Sequence, residues 1–180
     1  KTFEYLSNIS FNKAFSSSMQ RPYETAKIIL QNNKGLKIDK INSLVEISHG
    51  LWEGKLETEI REKWPILLEN WHEKPEEVIM PEGESIKDVS ARSVEAFNKI
   101  CLSQKNNDLT LVVAHDAVNK TLICNILGIN YSNIWMIKQG NGGITVIDLF
   151  NDPSKSPVIS ALNITTHLGG IIDLTASGAL

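Results

Sequence analysis

Three side chains stand where their types and neighbours could handle an anion: His115, Arg21 and Glu46. His115 follows the apolar run Leu109 to Ala114 (LTLVVA) and precedes Asp116 and a helical pattern of Ala117, Val118, Thr121, Leu122, Asn125 and Ile126. The β-branched centre of the run predicts a strand buried on both faces and central to a parallel or mixed sheet. Gly128 then supplies a helix stop, and Asp116 is the expected N-cap. His115 is thereby placed at the carboxyl end of a strand, against a helix N-terminus. Ligands bind there in open α/β sheets, and the free N–H groups favour anions, phosphate above all. An imidazole in that position can be acid, base, donor or nucleophile.

Arg21 lies in SSSMQRPYETAKIIL. Ser17 and Gln20 have the spacing of a capping box, and Pro22 belongs in a first turn, so a helix is expected over Ser18–Leu30. Arg21 then sits at the end of the helix dipole that disfavours a cation, where it is either solvated or holds an anion. Residue type alone favours solvation. Glu46 lies among Leu44, Val45 and Ile47, neighbours that could seat it in a pocket and raise its pKa toward that of a general acid; composition alone favours a surface carboxylate on a loop. Nearby His49 reads as a loop histidine, Trp52 as a packing residue and Arg92 as a solvated helix residue.

Elements that could position these groups follow in order. Lys1–Leu6 reads as the tail of a helix, NKAFS as a short strand and LKIDKI as another. Leu56–His72 has helical spacing that Pro65 must kink or divide. EKPEEVIMPEGES is turn-rich, and Ser85–Cys101 resumes a helix. Gly140, Gly142 and Gly143 precede the strand ITVIDLF, so they are a turn and not a phosphate loop. PVISALNI reads as the hairpin partner of ITVIDLF.

Bulk composition excludes several classes. At 180 residues, the length suits one domain able to bury roughly 70% of its unfolded surface. Hydrophobic residues make up 42% and charged residues 22%, as in an ordinary globular protein, and a net charge of −3 without a basic block argues against nucleic acid. Cys101 and Cys124 lack metal-ligand spacing and read as buried free thiols of a reducing compartment. No apolar run approaches a membrane span, and KTFEYL is no signal peptide, so a cytoplasmic location is expected.

The segments SSSMQRPYETA, EISHGLWEGK and LVVAHDAVNKTL, in that order and with PEGES, ITVIDLF and LNITTHLGG around them, resemble the histidine phosphatase superfamily, the phosphoglycerate mutase-like proteins. The AHDAVN form resembles the branch found in photosynthetic organisms. The resemblance implies a three-layer α/β fold with a mostly parallel central sheet and helices on both faces, in one domain over residues 1–180. It implies a phosphatase or mutase acting on a small phosphorylated sugar or carboxylic acid through a phosphohistidine. No metal, no organic cofactor, no nucleic acid and no membrane are expected, and a homodimer is among the assemblies it allows. Arg21 resembles the second arginine and His115 the second histidine that hold phosphoryl oxygens; Glu46 resembles the donor that protonates the leaving oxygen. A guanidinium fork and an imidazole suit the equatorial oxygens of a phosphoryl group, and a carboxyl of raised pKa suits an alkoxide leaving group.

Two departures accompany the resemblance. No Arg-His pair occurs in the 180 residues, so the opening strand ending in Arg-His-Gly, with its nucleophile, is absent from them. The expectation is an N-terminally truncated fragment, inactive and marginally stable as it stands; the alternative is a non-catalytic phosphate-binding or regulatory domain. Second, Asp116 stands where many members have glycine; its N–H can still face phosphate, which makes it a candidate substrate-binding residue.

Overall fold

The computed structural model describes residues 1–152 and 154–169. Its helices and strands, in chain order, are α1 (Thr2–Leu6), β1 (Lys13–Ser17), α2 (Gln20–Ile29), β2 (Ile38–Ile41), α3 (Glu57–Lys63), α4 (Pro65–Glu73), α5 (Ile86–Leu102), β3 (Thr110–Val113), α6 (Asp116–Leu127), β4 (Ile144–Asp148) and β5 (Val158–Ile164). The glycine-rich ending from residue 170 and Pro153 of the Asp152-Pro153 turn lie outside the described residues.

Strands β2, β1 and β3 form a parallel sheet in that order, with Phe15 opposite Asp39 on one side and Val112 on the other. Parallel strands need crossovers, and helices supply them. Helix α2 packs across β1 and β3. Phe15, Ile41 and Val112 pack against the core built with Val89, Phe97 and Ile100 of α5 and Val118 and Leu122 of α6. The result is the expected α/β sheet flanked by helices. Strands β4 and β5 pair antiparallel as a separate hairpin.

Sequence patterning misplaced one strand. The Leu109–Ala114 run was expected at the sheet's centre; among the described residues the centre is β1 and β3 is an edge. Side-chain pattern reports the two faces of a strand and says nothing about its hydrogen-bonding edges, so a strand covered on both faces reads alike in either position. Burial agrees with an edge: every residue of β3 is only half-buried.

Local chemistry explains the helix ends. Pro65 divides the Leu56–His72 segment and becomes the first residue of α4, where its missing N–H would be unpaired anyway. Ser85 caps α5 by accepting the Asp88 N–H at 3.2 Å, while the Asp88 carboxylate accepts the Ser85 N–H at 2.9 Å. Gly128 ends α6 with φ of 66°, a left-handed turn that favours glycine. Trp52 is 2% exposed and packs as expected. Trp71 and Trp135 meet edge to face at 5.0 Å, and the Trp135 indole N–H donates to the Trp71 carbonyl at 2.8 Å.

Candidate functional site

Strands β1 and β3 run parallel and side by side, so their carboxyl ends deliver Ser17 and His115 to the same edge. Ser17 is fully buried, and His115 is 5% exposed. His115 Nε2 and Ser17 Oγ lie 3.0 Å apart and share a hydrogen bond, which fixes one nitrogen of the ring. The other nitrogen, Nδ1, is 3.9 Å from Oε2 of Glu46. Burial, followed by the charges of Arg21 and Arg92, pulls His115 down to about 4, so the ring is neutral at pH 7.

Two capping expectations fail here. Asp116 does not cap α6: His115 is the N-cap, with extended backbone, and Asp116 is the first helical residue. From that position its carboxylate pairs with Lys120 one turn on, at 2.9 Å, instead of reaching back to the helix amides. Lys120 is itself 8% exposed and lies 5.2 Å from the Trp135 ring. Ser17 does not start α2: it ends β1, and its hydroxyl serves His115 and accepts the Met19 N–H at 3.3 Å. The helix begins later, at Gln20, without a side-chain cap.

Glu46 lies on the loop after β2. Burial pushes its carboxyl above the usual carboxylate range, against the N–H of Ile47, which donates to Oε1 at 3.0 Å. The charge of Asp116 raises it further, and the N–H groups of Ala117 and Asp116 pull it down. A carboxyl so placed gives up its proton less readily than an exposed one, a shift in the direction a general acid needs. Arg21 is on the first turn of α2 and exposed, and its charge acts on His115. Its guanidinium has no protein acceptor among the described residues. The structure therefore gathers Arg21, Glu46, His115 and Asp116 at one edge of the sheet, although they are scattered in sequence.

Sequence reasoning overlooked residues around this group. Arg92 was read as solvated; its side chain is only 19% exposed and is bonded to the Glu46 loop and to Glu84. Ser17 was read as a helix cap and is the partner of His115. Lys120 carried no signal beyond its spacing from Asp116. His49, expected as a plain loop histidine, meets the Trp71 ring edge-on at 6.2 Å, and burial lowers its pKa. Both cysteines are free, and burial pushes Cys101 up to about 11 and raises Cys124. A groove of about 620 Å³ lined by Asn12, Phe15, Ile41 and Ile100 among others includes none of the four candidates. No three His, Cys, Asp or Glu side chains among the described residues are grouped to hold a metal, and none of the helices is long and apolar enough to cross a membrane.

The depressed His115 pKa links stability to pH. The unfolded ring has the ordinary value of 6.5 and the folded ring about 4, so the unfolded state binds the proton more readily between them. Its contribution is fully present above about pH 6.5 and is lost as pH falls toward 4, a change on the order of 1–3 kcal/mol. The raised Glu46 has the opposite sign, favouring the fold at low pH and losing that contribution as pH rises through its folded value. Urea unfolding from pH 7 to 4 should therefore show a smaller loss of stability in His115→Gln than in the parent. Parallel curves would contradict the assigned burial.

A neutral imidazole, a carboxyl of raised pKa and a guanidinium thus meet at the carboxyl edge of a parallel sheet in an α/β protein. The chain belongs to the histidine phosphatase superfamily (branch 1), whose family model matches residues 1–164. Phosphoserine phosphatase 1 of Hydrogenobacter thermophilus is 34% identical over 164 residues, covering 91% of this chain and 75% of that protein. The 2-carboxy-D-arabinitol-1-phosphatase of Triticum aestivum is 29% identical over 155 residues, which are 86% of this chain but only 30% of that protein. Among solved structures, Bacillus stearothermophilus YhfR matches with a TM-score of 0.80 at 25% identity, over 88% of this chain and 77% of that one.

Proposed function

We propose that this chain carries the phosphoryl-binding and proton-donating part of a phosphomonoesterase site for small phosphorylated carboxylic acids, working through a phosphohistidine. The observation that carries the reading is the placement of Glu46 Oε2 3.9 Å from His115 Nδ1, within the field of Arg21. Arg21 and the neutral His115 donate N–H groups to the phosphoryl oxygens, and charge-assisted donors fixed in place stabilise the charge that develops there. The N–H of Asp116 at the start of α6, which lies against the Glu46 carboxyl, is shared between that carboxyl and the phosphoryl oxygens. Glu46, whose burial favours the protonated form, gives its proton to the leaving alkoxide. The attacking imidazole belongs to an Arg-His-Gly strand that these 180 residues do not contain.

Hydrolysis is favoured over mutase exchange because the two relatives that match 91% and 86% of this chain are phosphatases, whereas a mutase at 32% identity matches 64% of it. A phospho-amino acid is the leading substrate by the first of these likenesses. The AHDAVN form keeps carboxy-arabinitol 1-phosphate, and with it a place in the photosynthetic branch, as the second candidate. With an Arg-His-Gly strand supplied ahead of Lys1, phosphate release from O-phosphoserine should exceed that from 3-phosphoglycerate and from 2-carboxyarabinitol 1-phosphate, measured as kcat/KM. Faster exchange between phosphoglycerates than release to water would assign a mutase instead. Binding of phosphate esters with no release from any would assign the non-catalytic reading.

A further inference from the structure

Arg92 presents five N–H donors, and all are engaged. Nε bonds Oε1 of Glu84 at 2.7 Å and Nη2 bonds Oε2 at 2.8 Å, a two-point fork. Nη1 bonds the carbonyls of Ser43 at 2.9 Å and Val45 at 2.7 Å, and Nη2 bonds the carbonyl of Glu46 at 3.2 Å. Glu84 adds two ties of its own: Oε2 accepts the Ser48 N–H at 2.9 Å, and its backbone N–H donates to the Ser48 carbonyl at 2.9 Å. The loop from Ser43 to Ser48 is thus fastened along its length to α5 and to the Glu84 turn. Backbone contact is close as well, since a Cβ on Gly83 would come within 2.5 Å of the Ser48 carbonyl oxygen.

We infer that Arg92, with Glu84, is a positioning residue that sets the Glu46 carboxyl against His115 and the start of α6. The Glu46 backbone carbonyl accepts from the Arg92 guanidinium while its carboxylate lies 3.9 Å from His115 Nδ1. The loop follows the last residues of β2 and has no strand partner for its carbonyls, so without the fork they would turn to water and the side chain would lose its fixed origin. Arg92 has no donor left for a ligand and does not contact one; it acts through Glu46. A lysine could keep one ion pair with Glu84, but an ammonium cannot reproduce a planar fork that also serves three carbonyls.

This inference rests on the reading of Glu46 as the proton donor for its meaning, but its test does not. The carboxyl of Glu46 would be titrated by carbon-13 NMR in the parent, Arg92→Lys, Arg92→Gln and Glu84→Gln chains, with the His115 ring and the thermal midpoint followed alongside. Glu46 faces His115, Asp116 and the N–H groups of Ile47 and Ala117, and Arg21 adds its charge to the same site. If Arg92 positions Glu46, the carboxyl moves toward solvent in all three variants and its pKa falls toward the ordinary 4.5. A through-space charge effect separates the variants differently: Arg92→Gln would raise Glu46, Arg92→Lys would leave it unchanged, and only Glu84→Gln, which removes a negative charge, would lower it. A merely structural role would lower the thermal midpoint and leave Glu46 titrating as in the parent. Either of the last two results overturns the inference. Should Arg92→Gln fail to fold, Arg92→Lys decides it, since it keeps the charge and breaks the fork. Inorganic phosphate is the probe for the underlying reading: a parent chain that binds none defeats the proposed function, while the Glu46 titration still decides Arg92.

Discussion

Incubated with a phosphomonoester, the 180-residue chain should incorporate no acid-labile phosphate, and the same chain preceded by a strand ending in Arg-His-Gly should become phosphorylated and turn over. The gap should be large, because losing the nucleophile of a covalent mechanism costs on the order of 10⁶ in kcat. His115 cannot fill the role from where it stands. Its Nε2 is held by Ser17 at 3.0 Å, and the remaining Nδ1, assigned to donate its N–H to a phosphoryl oxygen, has no lone pair left for in-line attack on phosphorus. The added strand also has somewhere to go. Among the described residues β3 is an edge, and an edge presents a row of backbone N–H and C=O groups ready to pair. Pairing there should raise the thermal midpoint of the extended chain along with its activity. Acid-labile phosphate in the 180-residue chain, at the level of the extended one, would mean that His115 attacks and that the roles assigned here are wrong.

Much of the site was legible because each residue carried its own local signal. His115 sat between an apolar run and a helical pattern, which is enough to place it at a strand end. Arg21 preceded Pro22 in a first turn, and that turn is where it lies. Glu46 could not be separated from a surface carboxylate by composition, because what lies against it, His115, the start of α6 and Arg92 of α5, is remote in sequence. The same remoteness hid Arg92 and Glu84. An arginine on a polar helix face looks solvated until the loop whose carbonyls it collects is folded against it. Asp116 shows the converse error: its type suits an N-cap, but the backbone turn falls one residue earlier, and Lys120 offers a nearer partner. The edge position of β3 was invisible for a different reason, since strand neighbours are chosen by backbone pairing and leave no mark on side-chain pattern.

Removing Arg21 should weaken phosphate binding by about 10- to 100-fold, from the roughly 1.5–3 kcal/mol of a hydrogen bond to a charged group. The exposed guanidinium has no acceptor among the described residues, so Arg21→Ala breaks no protein contact of that group and stability should change little. Removing His115 should have a smaller effect, because a neutral imidazole donates one N–H and carries no charge of its own. Glu46→Gln is the informative contrast. In the proposed arrangement Glu46 faces the leaving oxygen and not the phosphoryl oxygens, so inorganic phosphate should bind that variant within a few-fold of the parent, while turnover of an alkyl phosphate in the extended chain collapses. The claim that Arg21, Glu46 and His115 form one phosphoryl site is tested most directly by titrating inorganic phosphate into the nitrogen-15-labelled chain at pH 7 and following the His115 ring. A saturable shift of the His115 nitrogens in the parent, weakened by about 10-fold or more in Arg21→Ala and nearly unchanged in Glu46→Gln, is the predicted result. A His115 ring that does not respond to phosphate, or that responds equally with and without Arg21, would contradict it.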